Sequence, residues 1–91
     1  MPQIRRHDRT LADQLRRSAS SMVLNIAEGT YSDAGNARAR FHSAAGSANE
    51  TRSALKVAAA WGYIDRQNAD AIDARIDEVL KMLWGLTSPK K

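Results

Sequence analysis

An all-α fold, a single-domain up-down antiparallel helical bundle of three helices over residues 1–91, is what this sequence predicts, on three observations. Alanine is abundant and proline occurs only at positions 2 and 89, so nothing breaks a helix over the intervening stretch. Apolar residues recur at helical spacing in three separate runs. Short segments rich in Gly, Ser and Asp divide those runs, and short connections favour antiparallel neighbours.

The first helix is expected over residues 10–29, after a polar tail of residues 1–9. Thr10 is placed to cap the backbone N–H of Asp13. Leu11, Leu15, Met22 and Ile26 form its apolar stripe, with Ser18, Ser21 and Asn25 on or beside it. Arg16 and Arg17 project from the flanks, and Glu28-Gly29 closes the segment with an expected left-handed glycine cap. A helix written this way packs closely on a neighbour while turning a basic edge outward.

Thr30 to Asp33 reads as a turn, with Ser32 or Asp33 capping a second helix over residues 34–61. Its apolar surface is small: Ala37, Phe41, Ala44, Ala45, Ala48, Leu55, Ala58 and Ala59. Alanine faces allow helix axes to approach at the short end of the usual ~8–10 Å. Gly46 costs up to ~1 kcal/mol relative to alanine inside a helix, so a packing reason for it is expected. Gly62 ends the helix, and Tyr63-Ile64 can fold back over its end.

A third helix is expected over residues 66–87, capped by Asp65 and stopped by Ser88-Pro89. Ala69, Ile72, Ile76, Val79, Leu83 and Leu86 follow a heptad seam, which Leu80 and Trp84 widen. Asp70, Asp73, Asp77 and Glu78 crowd its first half and Lys81, Lys90 and Lys91 its end, matching the helix dipole.

With the first two helices folded near residue 32, facing positions sum to about 64 under equal rise per residue. Ser47 then faces Arg17-Ser18, Glu50 faces Gln14, and Asn25 lies near residues 39–42. Glu50 is expected to accept from Gln14 or Arg17. Gln14, Arg17, Ser21, Asn25, Glu28, Ser47 and Glu50 are read as a polar network that fixes helix register, because an unsatisfied member would cost about 1–3 kcal/mol.

The composition narrows function. There is no cysteine, which removes disulfides, thiol nucleophiles and thiolate metal sites and fits a reducing compartment. No apolar run approaches the ~18–20 residues that span a bilayer, and MPQIRRHDRT lacks a signal-peptide core, so a cytoplasmic protein with no membrane partner is expected. Residues 1–64 carry nine Lys/Arg against five Asp/Glu, while residues 65–91 carry five of each, so the whole +4 excess lies in the first part. That bias suits nucleic acid or another polyanion, and also an ordinary solvated surface.

No catalytic constellation emerges. His7 sits in the polar tail and His42 has no second ligand at i±3 or i±4. Asp70, Asp73 and Asp77 share an edge without an accompanying histidine or glycine loop, and Ser20 and Ser21 have no adjacent base. Neither an enzyme nor a cofactor or metal site is expected. Tyr31, Trp61, Tyr63 and Trp84 are read as hinge or core residues, which leaves few rings to stack on bases.

The segments QLRRSASSMVLNIAEG and FHSAAGSANETRSALKVAAAWGYI resemble the signature of the "four helix bundle protein" family. That family includes proteins encoded within intervening sequences of bacterial 23S ribosomal RNA genes. The accessory variability determinant of diversity-generating retroelements is a related protein. The resemblance rests on Gln14 to Arg17, Asn25 to Gly29, Phe41, Gly46-Ser47 and Glu50, and extends over about residues 11–86. It implies an up-down bundle, a ring-shaped homopentamer and no enzymatic activity. For the retroelement branch it implies a basic surface that binds nucleic acid and a reverse transcriptase. The sequence departs from the family pattern in beginning almost at the Gln-Leu-Arg-Arg segment, where members carry a further N-terminal helix, and in having His42 at a usually aliphatic position. A three-helix remnant would bare apolar surface that finds a partner.

Two functional classes follow. The leading expectation is a non-catalytic oligomer that binds RNA or DNA through Arg5, Arg6, Arg9, Arg16 and Arg17, with Arg38, Arg40, Arg52 and Lys56 contributing. The alternative is an interaction adaptor whose partner is itself or a reverse transcriptase, without direct nucleic-acid binding.

Overall fold

The computed structural model describes residues 2–88 and contains four helices: α1 (Pro2–His7), α2 (Arg9–Thr30), α3 (Ala34–Ala60) and α4 (Arg66–Thr87). Pro89, Lys90 and Lys91, assigned above to the stop and the basic end of the last helix, lie outside the described residues. The three long helices run up, down and up, with α3 in the middle and α2 and α4 packed along it. α2 and α4 make little direct contact, and the Cα positions fill a slab of 45 × 21 × 14 Å. The molecule is therefore a layer of three rods rather than a closed triangle.

The alanine face of α3 makes this possible. Ala44, Ala48 and Ala58 are fully buried, with Ala54, Leu55 and Thr51 beside them. Small side chains let a helix accept neighbours on two sides, with Leu11 and Leu15 from α2 and Ile76, Leu80 and Leu83 from α4 supplying the bulk.

The expected polar tail is instead a helix. Proline suits a first helical position, because it has no N–H to leave unpaired there. Ile4 is completely buried and joins the core cluster that contains Ile64, while the His7 ring stacks on Tyr63 at 5.3 Å. Burying one isoleucine contributes roughly 1.5–3 kcal/mol toward ordering the polar turn around it, to which the His7–Tyr63 stack adds. One apolar residue in six carries no periodicity, so this segment has no sequence signal. Asp8, with extended φ and ψ of −154° and 98°, separates α1 from α2 and caps α2 by accepting from Leu11 N at 2.9 Å. Asp8, not Thr10, is the cap, and α2 starts a residue earlier than expected.

Gly29 corrects a second expectation. No residue but Gly62 has positive φ among the described residues, and α2 continues through Gly29 to Thr30. Gly29 is there for space: a Cβ would come within 2.6 Å of Phe41 Cε1. Gly46 shows the reverse, since it is exposed and a Cβ there would meet nothing within 4 Å. The packing reason expected for it is absent among the described residues. Gly62, at φ 77°, does end the α3 segment, and Ile64 folds back into the core.

Asp33 caps α3 through Asn36 N at 3.0 Å, and Asp65 caps α4 through Gln67 N at 3.3 Å. The buried face of α4 is Ala69, Ile76, Leu80, Leu83 and Thr87, rotated from the expected heptad seam. Ile72 and Val79 are half-buried, Leu86 and Trp84 are about half exposed, and Leu80 is fully enclosed. α4 packs mainly on α3, and the stripe it buries is the one that faces that single partner.

Candidate nucleic-acid interface

The α2–α3 seam sets where each basic side chain emerges. Its centre is polar: the Thr51 hydroxyl lies 2.8 Å from Ser18 Oγ, and Ser18 in turn donates to Leu15 O at 3.1 Å. One turn along, Ser47 donates to Ser21 Oγ at 2.9 Å, and Asn25 donates both to Ser21 O and to Ser21 Oγ. Every buried side-chain nitrogen and oxygen among the described residues has a partner. The seam therefore fixes register without an orphaned polar group.

Ser21, Asn25 and Ser47 meet, but Ser47 reaches Ser21 rather than the expected Arg17-Ser18, and Ser18 pairs instead with Thr51, which is not among the expected members. Thr51 is four residues after Ser47, so the two hydroxyls share one face of α3. Facing positions sum to 68 or 69 in the Ser47–Ser21 and Thr51–Ser18 pairs, not 64. Residues 31–33 climb about one helical turn past the end of α2 before α3 turns back. This offset separates Glu50 from Gln14. Both line one open groove, yet Glu50 is exposed and forms neither a hydrogen bond nor an ion pair among the described residues. The expected acceptor role of Glu50 toward Gln14 or Arg17 is not realised. Gln14 and Arg17 also stay outside the network, and Glu28 pairs with Arg40 at 2.8 Å.

The nine basic candidates divide into two groups. Arg38 donates through Nε and Nη2 to Thr87 O, at 3.0 and 2.8 Å, and so closes the C-terminal end of α4. Arg52 bridges Asp73 at 2.7 Å and Asp77 at 3.1 Å, and Lys81 joins Asp77 at 3.2 Å. The two carboxylates raise the Arg52 guanidinium above its ordinary value, Asp73 most strongly. Arg52, and then Lys81, hold the Asp77 carboxyl below its own. The acidic edge of α4 is thus half of a clasp on α3. Arg38 and Arg52, both expected as phosphate contacts, are thus engaged within the fold, Arg38 with one backbone carbonyl and Arg52 with two carboxylates.

Arg5, Arg6, Arg9, Arg16 and Arg17 are exposed on α1 and the first half of α2, with no ion pair among the described residues. Lys56 is exposed elsewhere, over the α3–α4 groove that Asp70 and Asp73 also line. Arg16, Arg17, Ser20, Asn25, Glu28 and Arg40 line a shallow depression of about 580 Å³ along the outer edge of α2. Asn25 therefore does lie beside residue 40, although its hydrogen bonds stay within α2. Of the aromatic residues expected at hinges or in the core, Tyr31 and Trp61 stand in the connections after α2 and α3, 91 and 71 % exposed, while Trp84 is 51 % exposed and outside the core and Tyr63 is partly enclosed.

A separate apolar trough of about 520 Å³ runs between α2 and α4 over α3, walled by Leu15, Ala19, Met22, Leu55, Ile72 and Ile76. It follows from the slab arrangement, in which no long helix covers α3 on that side, and Pro2 and Arg5 of α1 also line it. Among the described residues no cluster of three or more His, Cys, Asp or Glu could hold a metal ion, and no helix is long and apolar enough to cross a membrane.

The 23S rRNA-intervening sequence protein family model matches residues 3–85. No curated protein and no solved structure matches the chain. The match takes in α1, the polar seam, the basic edge of α2 and nearly all of α4. On the extent of that match, this chain belongs to the 23S rRNA-intervening sequence protein family.

Proposed function

We propose that this chain is a non-catalytic, cytoplasmic, self-associating helical protein that binds nucleic acid through arginines of α1 and α2. The observation that carries the reading is the run of exposed arginines at positions 5, 6, 9, 16 and 17 with no ion pair among the described residues. Guanidinium groups not engaged by the fold are the ones available to phosphates, where each contact is charge-assisted and releases counterions. Arg40 joins them by exchanging Glu28 for a phosphate, since a surface ion pair is worth only about 0–1 kcal/mol. The cysteine-free sequence fits the reducing cytoplasm. Titration with a structured RNA at two salt concentrations tests the reading. Steep loss of affinity with salt is expected, and binding no tighter than that of an unrelated protein of the same net charge would end it.

A second reading, an adaptor that assembles with itself or with a reverse transcriptase, is favoured by the apolar trough between α2 and α4. Exposed apolar grooves of this kind are covered by partners. A second copy is the occupant this reading prefers, in keeping with the pentameric ring that the family resemblance implies. Light scattering checks it: a molar mass several times 10.0 kDa supports self-assembly, and a stable monomer removes it.

A further inference from the structure

We infer that the outer edge of α2 is a track for single-stranded nucleic acid, with phosphates on Arg16, Arg17 and Arg40 and a base stacked on Tyr31. This rests on the nucleic-acid reading above and specifies the strand and the site. Arg16 and Arg17 stand at one end of the depression and Glu28 with Arg40 at the other, 12 residues or about 18 Å along the helix axis. That length accommodates a few successive phosphates of an extended strand. Between them stand the short polar side chains Ser20, Ser21 and Asn25 together with Leu24, which is 60 % exposed, so a backbone can lie close to the helix over the serines with an apolar side chain beside it. Ser21 accepts from Asn25 and from Ser47, which fills its acceptor positions and leaves its own proton for a further oxygen.

Tyr31 is the independent observation. It follows Glu28 by three residues and its near-helical φ and ψ of −103° and 6° continue the same edge past the end of α2. Its side chain is 91 % exposed, the most exposed large apolar side chain among the described residues. A ring held in water at the end of a basic track matches the two parts of a single-strand site, an electrostatic groove and a stacking platform. A duplex buries its base faces and cannot use that ring.

The test uses the whole chain with fluorescein-labelled 20-nucleotide single strands, RNA and DNA of one sequence, and the corresponding duplex. Tyr31→Ala is expected to weaken both single strands roughly five- to tenfold and leave the duplex unchanged, while Tyr31→Phe retains wild-type affinity. Tyr31→Ala that binds single strands as wild type does, or loses equally on the duplex, overturns the track. An effect on RNA alone also overturns it, since phosphate and stacking contacts do not read the ribose. Absence of binding by the wild-type chain to any probe instead ends the nucleic-acid reading itself. Circular dichroism and molar mass of the variant, both expected unchanged, separate a lost contact from lost structure.

Discussion

The Thr51 hydroxyl lies 2.8 Å from Ser18 Oγ in the seam between α2 and α3, and both residues are 5 % exposed. Thr51→Val keeps the shape but removes a hydroxyl that lies 2.8 Å from both Ser18 Oγ and Ser47 O and shares one proton between them, while the Ser18 proton is committed to Leu15 O. A loss of about 1–2 kcal/mol is expected in urea unfolding, and Ser18→Ala in the Thr51→Val background should recover part of it. Losses that simply add in the double variant would show that the two hydroxyls act independently.

Two glycines in the same pair of helices should respond in opposite ways. Gly29→Ala must displace the Phe41 ring from within 2.6 Å of the new Cβ, at a cost of about 1–3 kcal/mol that exceeds the gain in helix propensity. Gly46→Ala meets open space and should stabilise the chain by roughly 0.5–1 kcal/mol. Thermal melts of both variants decide it. A destabilised Gly46→Ala chain of unchanged helicity would reveal a surface docked on α3 that the single chain lacks.

The Arg52 clasp should make stability sensitive to acid. The Asp77 carboxyl is held below its ordinary value of 3.8, by Arg52 first and Lys81 second. A depressed folded value means that the unfolded chain binds the proton more readily. The contribution is therefore complete above the ordinary value and drains away as pH falls through the folded one. Asp77→Asn should lower the melting temperature at neutral pH and flatten its fall below about pH 4. Parallel acid limbs for wild type and variant would refute this.

Glu28 competes with phosphate for Arg40, to which it is bound at 2.8 Å with both side chains about half exposed. Glu28→Gln should tighten RNA binding several-fold at low salt, whereas Glu50→Gln, on the other side of the seam, should tighten it less. Equal gains from the two would reduce the effect to net charge.

The long helices, their order and two of their caps are legible because each leaves a repeated signal: apolar period, Asp at the N-cap, glycine at residue 62. α1 is not, since it depends on one tertiary contact at Ile4. The roles of Arg38 and Arg52 escape for a related reason. Their partners, Thr87 O and Asp73 with Asp77, lie on another helix and become neighbours only when α3–α4 register is fixed. Glu50 lies about one turn from its expected place because an equal-rise hairpin ignores the climb of residues 31–33. The basic edge of α2 is local, and Arg16 and Arg17 lie on it as the sequence suggests.

The central claim is that Arg16 and Arg17 neutralise phosphates, and the salt dependence of RNA affinity tests it most directly. With Arg16→Gln/Arg17→Gln beside wild type, the slope of log Kd against log salt should fall by about 1 to 1.5, the release expected for two phosphate contacts on a single strand. Identical slopes for the two proteins would contradict the account.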